Sequence, residues 1–283
     1  MNIDLNHLRS WIGKKKTHHD IATAFPVRAL AATLDRRDPP PKTGDAIPLS
    51  SHWLYFLETA VNTDLSHDGH PKRGGFLPPV SLPRRMWAGG RIDFRAPLRV
   101  GDSISRESEI LSVEAKSGKS GDLVFVTVRH SIKAGGTVAI VEEHDIVYRE
   151  AAKAGDAPPV GKPAPQTAAW RRELQANEAM LFRYSAITFN GHRIHYDIDY
   201  CRQAEGYPGL IVHGPLQTTL LLDLCRHSDP RPVRTLDYRA THPVFHQETF
   251  SVNGQPAADG KSVELWTANA AGNYAMRGTA TFG

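Results

Sequence analysis

With 283 residues, 40% of them hydrophobic and 23% charged, the chain is long enough for one large or two small globular domains with real cores. No stretch approaches the roughly 20 consecutive apolar residues that a membrane-crossing helix needs, and MNIDLNHLRSWIGKKK at the N-terminus has no apolar export core, so a cytoplasmic protein without membrane partners is expected. The formal net charge of +4 is scattered: Lys14 to Lys16 is the only run of three bases, and it reads as a solvated helix end, which argues against nucleic acid and suits a ligand on a phosphorylated arm.

The first half ends in strand-like segments. Ile104 to Val113, Leu123 to Ile132 and Val138 to Arg149 are separated by SGKSGD and KAGG turns, the pattern of an antiparallel meander. Ala151 to Ala169 is rich in Ala, Pro, Gly and Lys without apolar periodicity, which is linker composition. It separates a first module at 1–150 from a second at 170–283. The second half begins with helix and closes on the alternating strands Ser262 to Ala268 and Tyr274 to Phe282, with turn signals at Asn253-Gly254 and Asp259-Gly260. Cys201 and Cys225 fall in helical sequence and, without an export signal, are expected to be reduced.

Three pairs of segments recur in the same order. Ala31-Ala32-Thr33-Leu34-Asp35 matches Ala186-Ile187-Thr188-Phe189-Asn190; Gly75-Phe76-Leu77 matches Gly209-Leu210-Ile211; Asp93-Phe94-Arg95-Ala96 matches Asp237-Tyr238-Arg239-Ala240. Together they suggest two copies of one module of about 120 to 150 residues, an ordinary domain size. The central helix of the second copy starts at Gly214 and Pro215, because proline suits the first helical position, where its missing N–H is no loss. Leu216, Leu220, Leu221, Leu222 and Leu224 then cover most of its circumference, so it must be buried on most sides. A helix wrapped by a curved antiparallel sheet fits, and the fold class is α+β with two such tandem modules.

The chemistry concentrates in YSAITFNGHRIHYD, Tyr184 to Asp197. Asp197 and Asp199 have the position of caps for a short helix, Ile198 to Glu205. His195 can take and return a proton near neutral pH, as reversible addition of water requires, whereas Asn190 can only hold water by hydrogen bonds. Gly214, after His213, stands at a helix N-terminus whose amides favour developing negative charge, the makings of an oxyanion hole for an enolate-like state. His192-x-x-His195 with His213 and His242 lacks the spacing and the glutamate of a helical HExxH site, so no metal is expected.

The segments DGHPKRGGFLPP, RRMWAGGRIDF, GDLVFVTVRHSI, EEHDIVYRE, SAITFNGHRIHYD and EGYPGLIVHGPL resemble the MaoC-like, hydratase-2 family, and within it the mesaconyl-C4-CoA hydratases and type 2 3-hydroxyacyl-thioester dehydratases, over nearly the whole chain. The resemblance implies a double hotdog fold, a coenzyme A or carrier thioester as substrate with no further cofactor, and one active site in the second module. It implies that His195 is the catalytic histidine, that Gly214 is the oxyanion-hole glycine, and that Asn190 stands where wider MaoC-like enzymes have a catalytic Asp. With Asn190 neutral, proton transfer falls on His195. In the repeat, Asp35 takes the place of Asn190 and Pro40 that of His195, so the first module reads as a degenerate copy that shapes the acyl pocket through Gly74 to Pro79, including Gly75 and Phe76. Arg84, Arg85, Arg91 and Arg193, with His213, are candidates for holding carrier phosphates or a second carboxylate on a branched C5 acyl group, because arginine suits bidentate anion recognition. The reading is a hydro-lyase acting on mesaconyl-C4-CoA or itaconyl-CoA. The rivals are a straight-chain 3-hydroxyacyl-thioester dehydratase, a thioesterase using Asp35 or Asp197, and a non-catalytic acyl-CoA-binding hotdog. Pairing of hotdog sheets makes a homo-oligomer, a homodimer, a further expectation.

Overall fold

The computed structural model describes residues 3–118, 121–151 and 161–283. The first half contributes α1 (Leu5–Arg9), β1 (Lys15–Ile21), α2 (Ala24–Thr33), β2 (Arg84–Phe94), β3 (Ser103–Gly118), β4 (Gly121–Ala134) and β5 (Thr137–Arg149). The second half contributes β6 (Trp170–Gln175), α3 (Glu178–Ile187), α4 (Ile198–Gln203), α5 (Gly214–Ser228), β7 (Val233–Ala240), β8 (Thr249–Pro256), β9 (Ser262–Ala268) and β10 (Tyr274–Phe282). The strands join in one 10-stranded sheet, ordered β1-β3-β4-β5-β2-β7-β10-β9-β8-β6. Read from its two edges inward, each half has the same order, and the halves meet where β2 pairs antiparallel with β7, Arg91 opposite Asp237.

Backbone hydrogen bonds fix how the halves correspond. Arg95 and Ala96 N–H both bond Ala139 O, as Thr241 and His242 N–H both bond Ala275 O; Ile47 N–H bonds Leu98 O, as Val212 N–H bonds Val244 O. At the ends of α2 and α3, Leu34 and Thr188 are the caps, Asp35 and Phe189 follow in the left-handed region at φ 54° and 49°, and Arg36 and Asn190 send their N–H groups back to Ala31 O and Ser185 O. The repeat is therefore present, but all three segment matches drawn from identities are out of register. Arg36, not Asp35, occupies the Asn190 position; the Ile211 bridge to Phe245 is matched by Ala46 to Arg99, not by the Gly75 segment; and Asp93 corresponds to Arg239, not to Asp237. Similarity of side chains misled because the conserved relation is the hydrogen-bond geometry.

Other expectations shift for local reasons. Lys15 and Lys16 lie on β1, paired to β3, and not on a helix end. Asn253-Gly254 lies inside β8: Gly254 is there because the Trp170 ring covers it, with a ring carbon 2.6 Å from where a Cβ would sit. Asp259-Gly260 is a turn, with Gly260 at φ 64°. Part of the SGKSGD turn and residues 152–160 of the Ala151 to Ala169 segment fall outside the described residues. Cys201 and Cys225 are free and buried. Among the described residues no helix is long and apolar enough to cross a membrane.

The halves differ most at the central helix. α5 carries buried Leu216, Leu220, Leu221 and Leu222 into the main core, where they meet residues from β6 to β10. At the corresponding place in the first half, after Ile47, stands only a four-residue 3-10 turn, Ser51–Leu54. The chain from 55 to 83 instead makes an excursion without regular helix beyond the turn Asn62–Asp64. Its tip is tight: Ser66 N–H bonds His70 O, Gly69 N–H bonds Ser66 O, and Lys72 N–H bonds Asp64 O. That tip lands on the second half.

Candidate active site

Three pieces of chain converge. The first follows α3. Asn190 Oδ1 accepts the backbone N–H of His192 at 3.0 Å, which turns the chain into the 3-10 segment Arg193–His195. Asp197 stops that turn, its carboxylate capping α4 through Tyr200 N–H at 2.9 Å and pairing with Arg193 at 2.7 Å. His192 and His195 are thereby held inward and buried. Asp199 is exposed in the first turn of α4.

The second piece is the start of α5. His213 is its N-cap residue, fully buried, with Nε2 2.8 Å from Ser185 Oγ. Its ring stacks on that of His195, centroids 3.6 Å apart and 18° from parallel. His195 Nδ1 lies 2.7 Å from Ile211 O. A carbonyl only accepts, so Nδ1 carries the hydrogen and Nε2 the lone pair. Burial, against that hydrogen bond, pushes His195 down to about 4, so it is a neutral imidazole at pH 7. Gly214 has ordinary backbone angles, and what it provides is space: the Trp87 side chain of β2 lies 3.4 Å from where a Cβ would be. Trp87 donates in turn to the Tyr238 hydroxyl at 3.1 Å. Amides of the first helical turn have no acceptor within the helix and face a developing anion favourably.

The third piece, absent from the sequence reading, is the excursion tip. Asp68 O accepts Arg193 N–H at 2.9 Å and His67 O accepts Arg193 Nη1 at 3.0 Å, which stitches the tip to the turn bearing His195. Asp68 Oδ2 is 3.0 Å from His70 Nδ1, and Oδ1 accepts the His70 backbone N–H at 3.0 Å. Burial works against the Asp68 charge, but the hydrogen bonds from His70 and the nearby imidazoles outweigh it and hold the carboxyl well below its usual range. Burial and then the Arg85 charge push His70 down to about 4, despite Asp68. The His70 ring is 4.1 Å from that of His192, which is 5.5 Å from that of His195. Burial and the charges of its two neighbours hold His192 far below the usual histidine range. The signal was in view as Asp68-Gly69-His70-Pro71, but it lies in the half that lacks the helix.

Asp68, His70 and His192 also offer three ligand-type atoms within 4.8 Å of one another. The Asp68–His70 hydrogen bond engages two of them, and neither His195 nor His213 belongs to this group.

These groups face a cleft of about 2150 Å3 between the halves, lined among others by His70, Arg85, Asn190, His192, His195 and Gly214. His213 lies behind His195 and does not reach its wall. Gly75 and Phe76 stand at its edge on a satellite core beneath α1, where Gly75 O accepts Lys14 Nζ at 2.7 Å. The four candidate arginines separate cleanly. Arg84 is paired with Glu205 at 2.6 Å, Arg91 with Asp145 and Glu143 at 2.8 and 3.0 Å, and Arg193 with Asp197. Arg85 has no carboxylate partner among the described residues, and its charge is felt by His70, His192, His144 and Tyr148. The first-half wall sets a few polar side chains among apolar ones such as Trp87, Val128 and Ile146. His130 meets Ser108 Oγ at 2.7 Å, His144 stacks on Trp87 at 3.7 Å, and behind them buried Glu142 accepts from Trp53 at 3.0 Å beside His52 at 3.1 Å.

A sequence model of hydroxyacyl-thioester dehydratase type 2 matches residues 50–246. The chain is 42% identical over 274 residues to a mesaconyl-C4-CoA hydratase of Chloroflexus aurantiacus, covering 97% of each. It is 25% identical over 227 residues to the mitochondrial hydroxyacyl-thioester dehydratase type 2 of Schizosaccharomyces pombe, covering 71% of this chain and 75% of that one. Among solved structures, HtdX of Mycobacterium tuberculosis is similar at a TM-score of 0.70 and 16% identity over 95% of this chain and 100% of that one. A second M. tuberculosis protein, described as a double hotdog, is similar at 0.56 and 13% identity over 95% and 96%. The chain has the double hotdog fold and belongs to the hydroxyacyl-thioester dehydratase type 2 family, a family of hydro-lyases.

Proposed function

We propose that this protein reversibly hydrates an α,β-unsaturated acyl-CoA whose acyl group is a short, branched C5 dicarboxylic unit of the mesaconyl-C4-CoA type, with itaconyl-CoA as its near relative. The observation that carries the reaction class is the neutral His195, Nε2 unprotonated, stacked on the residue that caps α5. The thioester oxygen takes the Gly214 amide, where one such donor is worth roughly 3 kcal/mol at the transition state. His195 gives or takes the proton at the α-carbon, one bond from that carbonyl. Asn190, its Oδ1 committed to His192 N–H, keeps an amide N–H2 group for orienting water.

Arg85 supports the acyl group. In mesaconyl-C4-CoA the free carboxylate is borne by the β-carbon, so an arginine that reads it has to stand among the proton-handling groups, and Arg85 stands beside His70 and His192. On the first-half wall, His130, Ser108 and His144 offer hydrogen-bonding groups that a second carboxylate can use and a plain aliphatic chain cannot. A thioesterase reading has less support: Asp35 is exposed beyond α2, and Asp197 is spent on Arg193 and the cap of α4.

The test is kcat/KM on mesaconyl-C4-CoA, itaconyl-CoA, crotonyl-CoA and a longer straight-chain enoyl-CoA, with free CoA measured in parallel on a saturated analogue. Preference for a dicarboxylic substrate is expected. Preference for straight chains would overturn the acyl assignment, and release of CoA without change in enoyl absorbance would overturn hydration.

A further inference from the structure

The reaction above leaves one proton without a well-placed carrier. Water loses a proton as its oxygen bonds the β-carbon, and the group that takes it becomes a buried cation. His195 is poorly equipped for that charge, since its Nδ1–H meets a neutral carbonyl and its face meets another imidazole. A buried charge without a counter-charge is costly. His70 is the imidazole in this cleft with a hydrogen-bonded carboxylate behind it: Asp68 Oδ2 at 3.0 Å fixes hydrogen on Nδ1 and leaves Nε2 as the lone-pair nitrogen. The same Asp68 fixes the tip to Arg193 through its carbonyl, so the pair is held in place relative to His195.

We propose that His70, oriented by Asp68, is a second catalytic residue, contributed by the first half, that handles the proton on the β-oxygen while His195 handles the proton on the α-carbon. The assignment rests on the hydratase reading and deepens it. In hydration, Nε2 of His70 takes one proton from water as the water oxygen bonds the β-carbon. The C=C electron pair moves toward the thioester, whose oxygen becomes an enolate oxygen at the Gly214 amide. The His70 imidazolium is then neutralised by the Asp68 carboxylate, so neither new charge is left bare. The proton passes by way of His192, whose ring is 4.1 Å from that of His70 and 5.5 Å from that of His195, to His195, where the enolate formed in the first step is the counter-charge for its brief protonation, and from there to the α-carbon. The enolate returns to carbonyl and all imidazoles are neutral again. One O–H bond is broken, C–O and C–H bonds are formed, and the C=C bond is gone; dehydration runs the same steps in reverse.

Two partial reactions separate the roles. Hydration of the preferred enoyl-CoA needs both histidines, whereas exchange of the α-proton of a saturated thioester, methylsuccinyl-CoA or butyryl-CoA in D2O read by mass spectrometry, needs His195 and the oxyanion site alone. His70→Asn is expected to lower kcat for hydration about 100-fold or more while leaving α-exchange within about threefold of the parent. His195→Asn is expected to lower both by about 100-fold or more. Asp68→Asn, a positioning change, is expected to lower kcat about tenfold or more with KM within about threefold and α-exchange retained. The proposal is overturned if His70→Asn hydrates within threefold of the parent, or if it loses exchange in step with hydration. A parent protein that hydrates no enoyl thioester would instead overturn the hydratase reading beneath it.

Discussion

Gly69 and Gly191, one from each half of the chain, touch backbone to backbone: a Cβ on Gly69 would lie 1.9 Å from Gly191 O, and one on Gly191 would lie 2.8 Å from Gly69 O. Gly69 also has φ +86°, where an L side chain is strained. Gly69→Ala is therefore expected to push the tip off the His195 turn. The checkable result is at least a tenfold fall in kcat/KM with a lowered Tm, whereas Gly44→Ala, equally left-handed but with open space around it, should lower Tm without that loss of activity.

Removing the His195 imidazole should cost the most. His195→Asn is expected to lower kcat by roughly 10²- to 10⁴-fold, the usual range for general acid–base catalysis, with KM little changed. Steady-state rates on the preferred enoyl-CoA check it. A KM effect alone would mean that His195 binds and does not react.

Arg85 and Arg91 lie on the same strand but differ in what they already hold. Arg85→Met should lower kcat/KM for a dicarboxylic enoyl-CoA about 100-fold and leave crotonyl-CoA nearly unchanged. Arg91→Met, which breaks only exposed pairs with Asp145 and Glu143, should move neither substrate beyond about threefold. Equal losses on both substrates in Arg85→Met would remove its role in specificity.

The buried histidines give pH dependence a definite sign. Burial pushes His70, His144 and His195 down to about 4 and His130 to about 3, so each stays neutral where an unfolded histidine, near 6.5, is taking up its proton. The unfolded state then binds more protons, and stability is complete above about pH 6.5 and lost progressively as pH falls toward 4. Tm should fall steadily between pH 7 and 5. Over the same range kcat should hold level, dropping only as pH approaches 4 and the catalytic imidazoles are protonated. A Tm flat to pH 5 would contradict the burial of these rings.

Arg36 occupies in the first half the place that Asn190 has in the second, and its buried guanidinium pairs with buried Asp223 of α5, which Arg226 and Arg172 also approach at 3.2 and 3.6 Å. Asp223→Ala leaves that guanidinium only the more exposed Asp38, at 3.2 Å, as a counter-charge and should cost about 3 kcal/mol in urea unfolding. Arg36→Met combined with Asp223→Leu should recover most of the loss.

Much of this was legible in the chain. β9 and β10 run over the residues that alternate in sequence, and Pro215 marks the start of α5 because a helix entry is a local matter. The turn bearing His195 was equally readable, since Asn190 and Asp197 both act within a few residues of it. What local pattern does not carry is a contact between distant segments. Nothing near Asp68 or His70 says that the tip reaches His192, and the pairing that leaves Arg85 without a carboxylate follows from strand register. The repeat misled for a related reason, because the halves share backbone geometry and few side chains.

The short turn Ser51–Leu54, standing where the other half has a fifteen-residue helix, has a genetic consequence. Two identical subunits related by symmetry must keep or lose that helix together. Once both copies are encoded in one gene, mutation can act on either alone, and the stretch released from packing duty in the first copy is free to cross over and furnish the second with side chains it never possessed. Fusion here did more than tie two subunits together: it let them specialise.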